Sequence, residues 1–114
     1  MLTLYGLKNC DTCRKALKVL DSKGIAYQFH DLRADGLSAA LLEHLLTQVP
    51  VMTLLNKRST TWRHLDEATK RDIDADSARE LMLGHPTLIK RPLLDTGDTI
   101  LVGYRDGEYD RLMG

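Results

Sequence analysis

Apolar and polar positions follow one another along this chain in a definite order. Thr3, Leu4 and Tyr5 read as a short buried strand that Gly6 ends. From Asp11 the spacing turns helical: Ala16, Leu17, Val19 and Leu20 share one broad face, and Gly24 supplies a C-terminal stop. Residues 26–31 alternate as a second strand. A strand–helix–strand crossover of this length predicts two parallel neighbours. Asp35-Gly36 reads as a turn, after which Leu37, Leu41, Leu42, Leu45, Leu46 and Val49 keep helical spacing. Pro50 suits the first position of a further short helix over 51–57. Arg58-Ser59-Thr60-Thr61 reads as a polar loop, and the charged run 70–76 as a solvated face with a helix cap. Ser77-Ala78-Arg79-Glu80 has the form of a capping box before Leu81, Met82 and Leu83, with Gly84 and Pro86 as the stop. Residues 93–102 read as a hairpin about an Asp/Gly turn, and Asp106 as the cap of a final short helix carrying Tyr109 and Leu112.

That order predicts an α/β protein. Two parallel strands and an antiparallel hairpin would form a four-stranded mixed sheet with flanking helices, in a thioredoxin-like arrangement. A helical insert would separate the βαβ unit from the C-terminal ββα unit. The chain entering the third strand of such a sheet passes near the start of the first helix, and Lys90-Arg91-Pro92 occupies that entry. Pro92 cannot donate to a ladder, so it belongs at the strand's beginning or in a cis turn.

Composition narrows the function classes. The 114 residues fit one domain, 1–114, and 43% hydrophobic content supplies one core. A chain of this length buries about two-thirds of its unfolded surface, which argues against intrinsic disorder. Sixteen basic and sixteen acidic residues cancel. Without a surplus of Lys and Arg there is no electrostatic warrant for nucleic-acid binding or for an anionic membrane surface. No apolar run approaches the ~20 residues that span a bilayer. The N-terminus enters a strand pattern with no charged lead, so a cytoplasmic protein is expected.

The only cysteines are Cys10 and Cys13. A structural disulfide closing so short a loop would stabilise by roughly 2 kcal/mol, against nearly 5 for a loop of ~100 residues. A zinc site lacks its second half: His30, His44, His64 and His85 are scattered singly, and no metal site is expected. The redox reading has local support. Cys10 sits where a strand hands over to a helix N-terminus, whose unpaired N–H groups and positive dipole end stabilise a thiolate. Cys13 follows one turn later, at a spacing compatible with a disulfide. Lys8, Arg14 and Lys15 flank the pair as solvated charges that enrich anions locally, and Asp11 and Thr12 read as helix-starting residues. Trp62 and Tyr104 read as packing residues.

Leu4-Tyr5-Gly6, the run Cys10-Asp11-Thr12-Cys13-Arg14-Lys15-Ala16, then Leu88-Ile89-Lys90-Arg91-Pro92-Leu93 and Val102-Gly103-Tyr104 together resemble the arsenate reductase/Spx family. The resemblance spans essentially the whole chain. It implies a thioredoxin-like fold with an inserted helical segment, Cys10 as nucleophile, and Arg91 beside it before a cis proline. Departures from the family pattern order the possible functions. Glutaredoxin-coupled arsenate reductases resemble Cys-x-x-Ser where this chain has Cys13, and they bring three arginines to the oxyanion. Arg91 matches one; Asn56 stands at the second position and Gly103 near the third. Each missing contact is worth roughly 1.5–3 kcal/mol. The Spx regulators keep Cys-x-x-Cys and bind the RNA polymerase α-subunit through a surface that includes a glycine, where this chain has Pro50. The reading is therefore a glutathione-dependent thiol–disulfide reductase with Cys10, Cys13 and Arg91 catalytic. Arg91, Pro92 and Lys8 would bind substrate, and glutathione would be a co-substrate rather than a bound cofactor. A redox-sensing regulator that binds RNA polymerase is the alternative, and arsenate reduction the third choice.

Overall fold

The structure, a computed structural model, describes residues 2–110 and 112. Its strands are β1 (Leu2–Gly6), β2 (Tyr27–Asp31), β3 (Leu93–Asp95) and β4 (Ile100–Val102). Its helices are α1 (Asp11–Ser22), α2 (Ala39–Leu46), α3 (Val51–Leu54), α4 (Thr60–Arg63), α5 (Glu67–Arg71) and α6 (Ala75–Gly84), with a 3-10 turn at Pro86–Leu88. The chain divides into two compact units, residues 1–36 with 91–114, and residues 37–90.

The first unit holds the mixed sheet, in the order β2-β1-β3-β4. Strand β1 runs parallel to β2, with Leu4 opposite Phe29, and antiparallel to β3, with Leu4 opposite Leu94. The hairpin pairs Leu94 with Leu101. This is the predicted thioredoxin-like sheet. Helix α1 covers it because its apolar stripe has nowhere else to go: Ala16 and Leu20 are fully buried with Leu4, Leu94 and Tyr109. Burying one leucine side chain is worth roughly 1.5–3 kcal/mol, so this stripe fixes the helix on the sheet. Gly24 ends the helix at φ +69°, a backbone conformation that a side chain disfavours. The predicted final helix is not formed over 106–110, which make hydrogen-bonded turns with Tyr109 fully buried; Arg111 lies outside the described residues. Burial of the one tyrosine ring anchors this segment without helical periodicity.

The second unit is helical, and there caps decide the boundaries. Ser38 accepts the Leu41 N–H at 3.0 Å and starts α2. Pro50 is the N-cap of α3 rather than its first residue, and α3 stops at Leu54 instead of reaching Lys57. The reason is pairing: Leu55 turns extended and bridges Ile89, and Asn56 N–H donates to the Leu88 carbonyl at 2.7 Å. The segment expected as a polar loop is a cap and a helical turn, since the Ser59 hydroxyl accepts the Trp62 N–H at 3.1 Å and opens α4. The capping box of α6 is Asp74 with Ser77, not Ser77 with Glu80. The Asp74 carboxylate accepts the Ser77 N–H at 2.8 Å and the Ser77 hydroxyl accepts the Asp74 N–H at 2.9 Å. The helix therefore starts before Ser77. Helix α6 packs on α2 and α3 through buried Ala78 and Met82. Among the described residues no helix is long and apolar enough to cross a membrane.

Candidate active site

Strand β1 delivers the chain to Gly6, a three-residue loop follows, and Cys10 takes the N-cap of α1 at φ −97° and ψ 117°. The Cys10 N–H donates to the Leu7 carbonyl at 3.2 Å and the Cys10 carbonyl accepts the Arg14 N–H at 3.0 Å, so the backbone on both sides is fixed. Both cysteines are free thiols; Cys10 is half-buried and Cys13 fully buried.

The two sulfurs are in opposite electrostatic states. Burial alone pushes the Cys10 thiol up. The Cys13 backbone N–H, the Cys13 thiol proton, and the charge and hydrogen bond of Arg91 more than offset that, so Cys10 ionises below its ordinary value. Its sulfur does not close the tight cap bond a serine oxygen makes, yet it still feels the first turn's N–H groups. Burial dominates at Cys13 and, helped by the hydrogen bond it gives Cys10 and by the charge there, holds its thiol up at about 12. Arg91 precedes Pro92 through a cis peptide bond, and the Pro92 carbonyl accepts the Gly103 N–H at 2.8 Å. Cys10, Cys13 and Arg91 thus come together, with Pro92 next in the chain.

Lys8 is exposed, and its backbone does more than its side chain. Its N–H donates to the Asp31 carboxylate at 3.1 Å, and its carbonyl accepts from Arg14 Nε at 3.1 Å. With Leu7, Asn9, Asp31, Arg33 and Ala34 it lines a groove of about 470 Å³ beside the loop. Arg14, expected as a solvated charge, also forms an exposed ion pair with Asp11 at 3.3 Å. Tyr104 packs edge-on against Tyr109, with ring centroids 4.8 Å apart. Trp62 lies half-buried in the helical unit with the Lys57 ammonium 5.6 Å from its ring. Asn56 uses its side-chain oxygen on the Arg58 N–H at 3.0 Å. Gly103 has φ +79°, where any side chain would be strained. Among the described residues no three His, Cys, Asp or Glu side chains gather as a metal site.

Two residues of the site escaped the sequence reading. A Cβ on Gly6 would lie 2.6 Å from the Cys13 sulfur, so Gly6 makes the room in which that sulfur is buried. Asp31 is 5% exposed and accepts three backbone N–H groups, from Lys8, Arg33 and Ala34. Burial pushes its carboxyl up; these bonds and the Lys8 charge outweigh that and hold it below the usual range. The alternating strand pattern gave Asp31 only as a strand end, because its partners appear only when β2 lies beside the loop.

The model of the ArsC family matches residues 5–112. A solved structure of a protein named YFFB is 42% identical and superimposes with a TM-score of 0.91, each chain covered in full. An arsenate reductase (ArsC) related protein from Brucella melitensis is 45% identical with a TM-score of 0.81, over 96% of this chain and 91% of that one. A global transcriptional regulator, Spx of Lactiplantibacillus plantarum, is 30% identical over 99% of this chain and 86% of its own. Sheet order, the dithiol at the start of α1, the cis proline after Arg91 and these likenesses agree: the chain belongs to the ArsC family.

Proposed function

We propose that the protein is a cytoplasmic thiol–disulfide reductase that works with glutathione and uses Cys10 as its nucleophile. One observation carries the reading: Cys10 is half-buried at the N-cap of α1, where the Cys13 N–H and Arg91 lower its thiol, while Cys13 one turn on is fully buried with its thiol pushed up. The Cys10 thiolate attacks one sulfur of a disulfide. A bond forms from Cys10 Sγ to that sulfur, the old S–S bond breaks, and its electron pair leaves on the released thiolate. Arg91 holds Cys10 ionised and receives a carboxylate of glutathione, with Pro92 and Lys8 bordering the bound tripeptide. Once Cys10 carries the adduct its charge is gone, and the charge and hydrogen bond that raised Cys13 go with it. Cys13, giving its proton to the departing thiolate, then attacks Cys10 and expels the adduct as a thiol, and two glutathiones reduce the resulting Cys10–Cys13 disulfide and leave as oxidised glutathione. Alternatively, a second glutathione attacks the adduct and leaves as oxidised glutathione, with glutathione supplying both electrons.

Arsenate is a dense, strongly hydrated oxyanion, and in the family pattern that brings it three arginines this chain keeps Arg91 alone, with Asn56 at the second position and Gly103 near the third. The test is incubation of reduced protein with oxidised glutathione, followed by mass spectrometry, beside an arsenate-reduction assay. The expected products are a Cys10–glutathione adduct with one glutathione released, or a Cys10–Cys13 disulfide with two released, with arsenate turnover near background. Robust arsenate turnover, or no thiol exchange, would overturn the reading. The likeness to Spx favours a second reading, in which the Cys10–Cys13 redox state alters a contact with the RNA polymerase α-subunit. Binding that differs between reduced and oxidised protein would favour it.

A further inference from the structure

We propose that Asp31 is the positioning residue of the site, its carboxylate fixing the loop between β1 and α1 that sets Cys10 at the helix N-terminus. Asp31 lies 23 residues from Lys8 in sequence, at the C-terminal end of β2, yet its Oδ2 accepts the Lys8 N–H at 3.1 Å. Oδ1 accepts the N–H groups of Arg33 and Ala34 at 2.8 and 2.9 Å. Its own N–H donates to the Asp35 carboxylate at 2.9 Å, so the anchor is itself held. Beside it, Leu32 N–H donates to the Gly6 carbonyl at 2.9 Å, the residue where β1 ends. Two ties from the turn after β2 therefore grip both ends of the stretch 6–8. From there the Leu7 carbonyl accepts the Cys10 N–H, and the Lys8 carbonyl accepts Arg14 Nε in the first turn of α1. A carboxylate suits this task because it offers two oxygens to three donors, and a charged acceptor makes each bond stronger. Asp31 does not touch the reacting sulfur. It acts through the Lys8 backbone on where that sulfur sits relative to the Cys13 N–H and Arg91.

The sign of the effect separates positioning from charge. Removing a nearby negative charge lowers a thiol's pKa by Coulomb's law alone. Loosening the loop takes Cys10 away from the groups that stabilise its thiolate and raises it. The proposal takes from the proposed function only that Cys10 is the nucleophile, and its test uses no glutathione. The rate of iodoacetamide alkylation of Cys10 is measured against pH in the wild-type chain and in Asp31→Asn, with peptide mapping to confirm the site. The amide keeps one acceptor oxygen and places an NH2 where the other was, so the loop bond or the turn bonds are lost. The expected result is a midpoint higher by about half a pH unit or more. A midpoint that stays or falls overturns the proposal. Should Asp31→Asn fail to fold, a chain assembled by ligation at Cys10, with the Lys8 N–H replaced by an ester oxygen, removes the 3.1 Å bond, weakens the Leu7 carbonyl that accepts the Cys10 N–H, and keeps the Asp31 charge. The same upward shift is expected, and an unchanged midpoint overturns the proposal. If both shifts appear while glutathione exchange is absent, the positioning role stands and the proposed co-substrate falls.

Discussion

The chemistry of the site rests on how differently two like side chains are treated three residues apart. Cys10 sits half-buried between the Cys13 N–H and Arg91, while Cys13 is sealed beneath it. Arg91→Ala should therefore raise the Cys10 alkylation midpoint toward the free-thiol value near 8.5, and Arg91→Lys should raise it less. A midpoint unchanged in Arg91→Ala would show that the helix start alone sustains the thiolate. The sequence made Cys10 legible because its place at a helix start follows from neighbours close in the chain. Arg91 became legible through the proline beside it. Gly6 and Asp31 were not legible, because the atoms that give them meaning belong to other elements. A glycine at a strand end reads as a stop, and only the packed structure puts the Cys13 sulfur against its bare Cα.

Among elements, α1, α2 and the four strands are legible in the spacing and Pro50 marks the start of α3, whereas the end of α3 and the whole of α4 and α5 are not. Helix α1 and the four strands follow their patterns closely. Helices α3, α4 and α5 have four or five residues each, too few for a period to show. Their bounds come from single capping bonds and from the pairing of Leu55 with Ile89. Helix α6 shows how a cap outranks a motif. The Ser77–Glu80 spacing predicts a start at Ser77, but Asp74 stands three residues earlier and makes the reciprocal bonds. Asp74→Ala should cost about 1 kcal/mol, whereas Glu80→Ala should leave stability within about 0.5 kcal/mol of wild type. Urea unfolding of the two variants decides which box the helix uses.

The whole molecule inherits a pH dependence from the dithiol. A thiol whose folded value is lowered favours folding increasingly as pH rises to its unfolded value. One whose folded value is raised favours folding below the unfolded value and loses that contribution as pH climbs toward the folded one. Cys10 is the first kind and Cys13 the second, pushed up to about 12. The reduced chain should thus be most stable near the ordinary thiol range and weaken above it, by at most about 1.4 kcal/mol per pH unit. In Cys13→Ser this alkaline loss should be smaller. Urea midpoints under reducing conditions at about pH 8, 9 and 10 measure the difference.

Gly6 carries a consequence for regioselectivity. A single added carbon on that residue already comes within 2.6 Å of the Cys13 sulfur. A tripeptide attached to Cys13 would demand far more space than a methyl group, at an atom that no solvent reaches. The strand floor thus forbids one of the two possible adducts before any reagent arrives. In the proposed reaction covalent traffic therefore enters at Cys10 and leaves from Cys10, whichever partner brings the disulfide, and Cys13 meets only its neighbour.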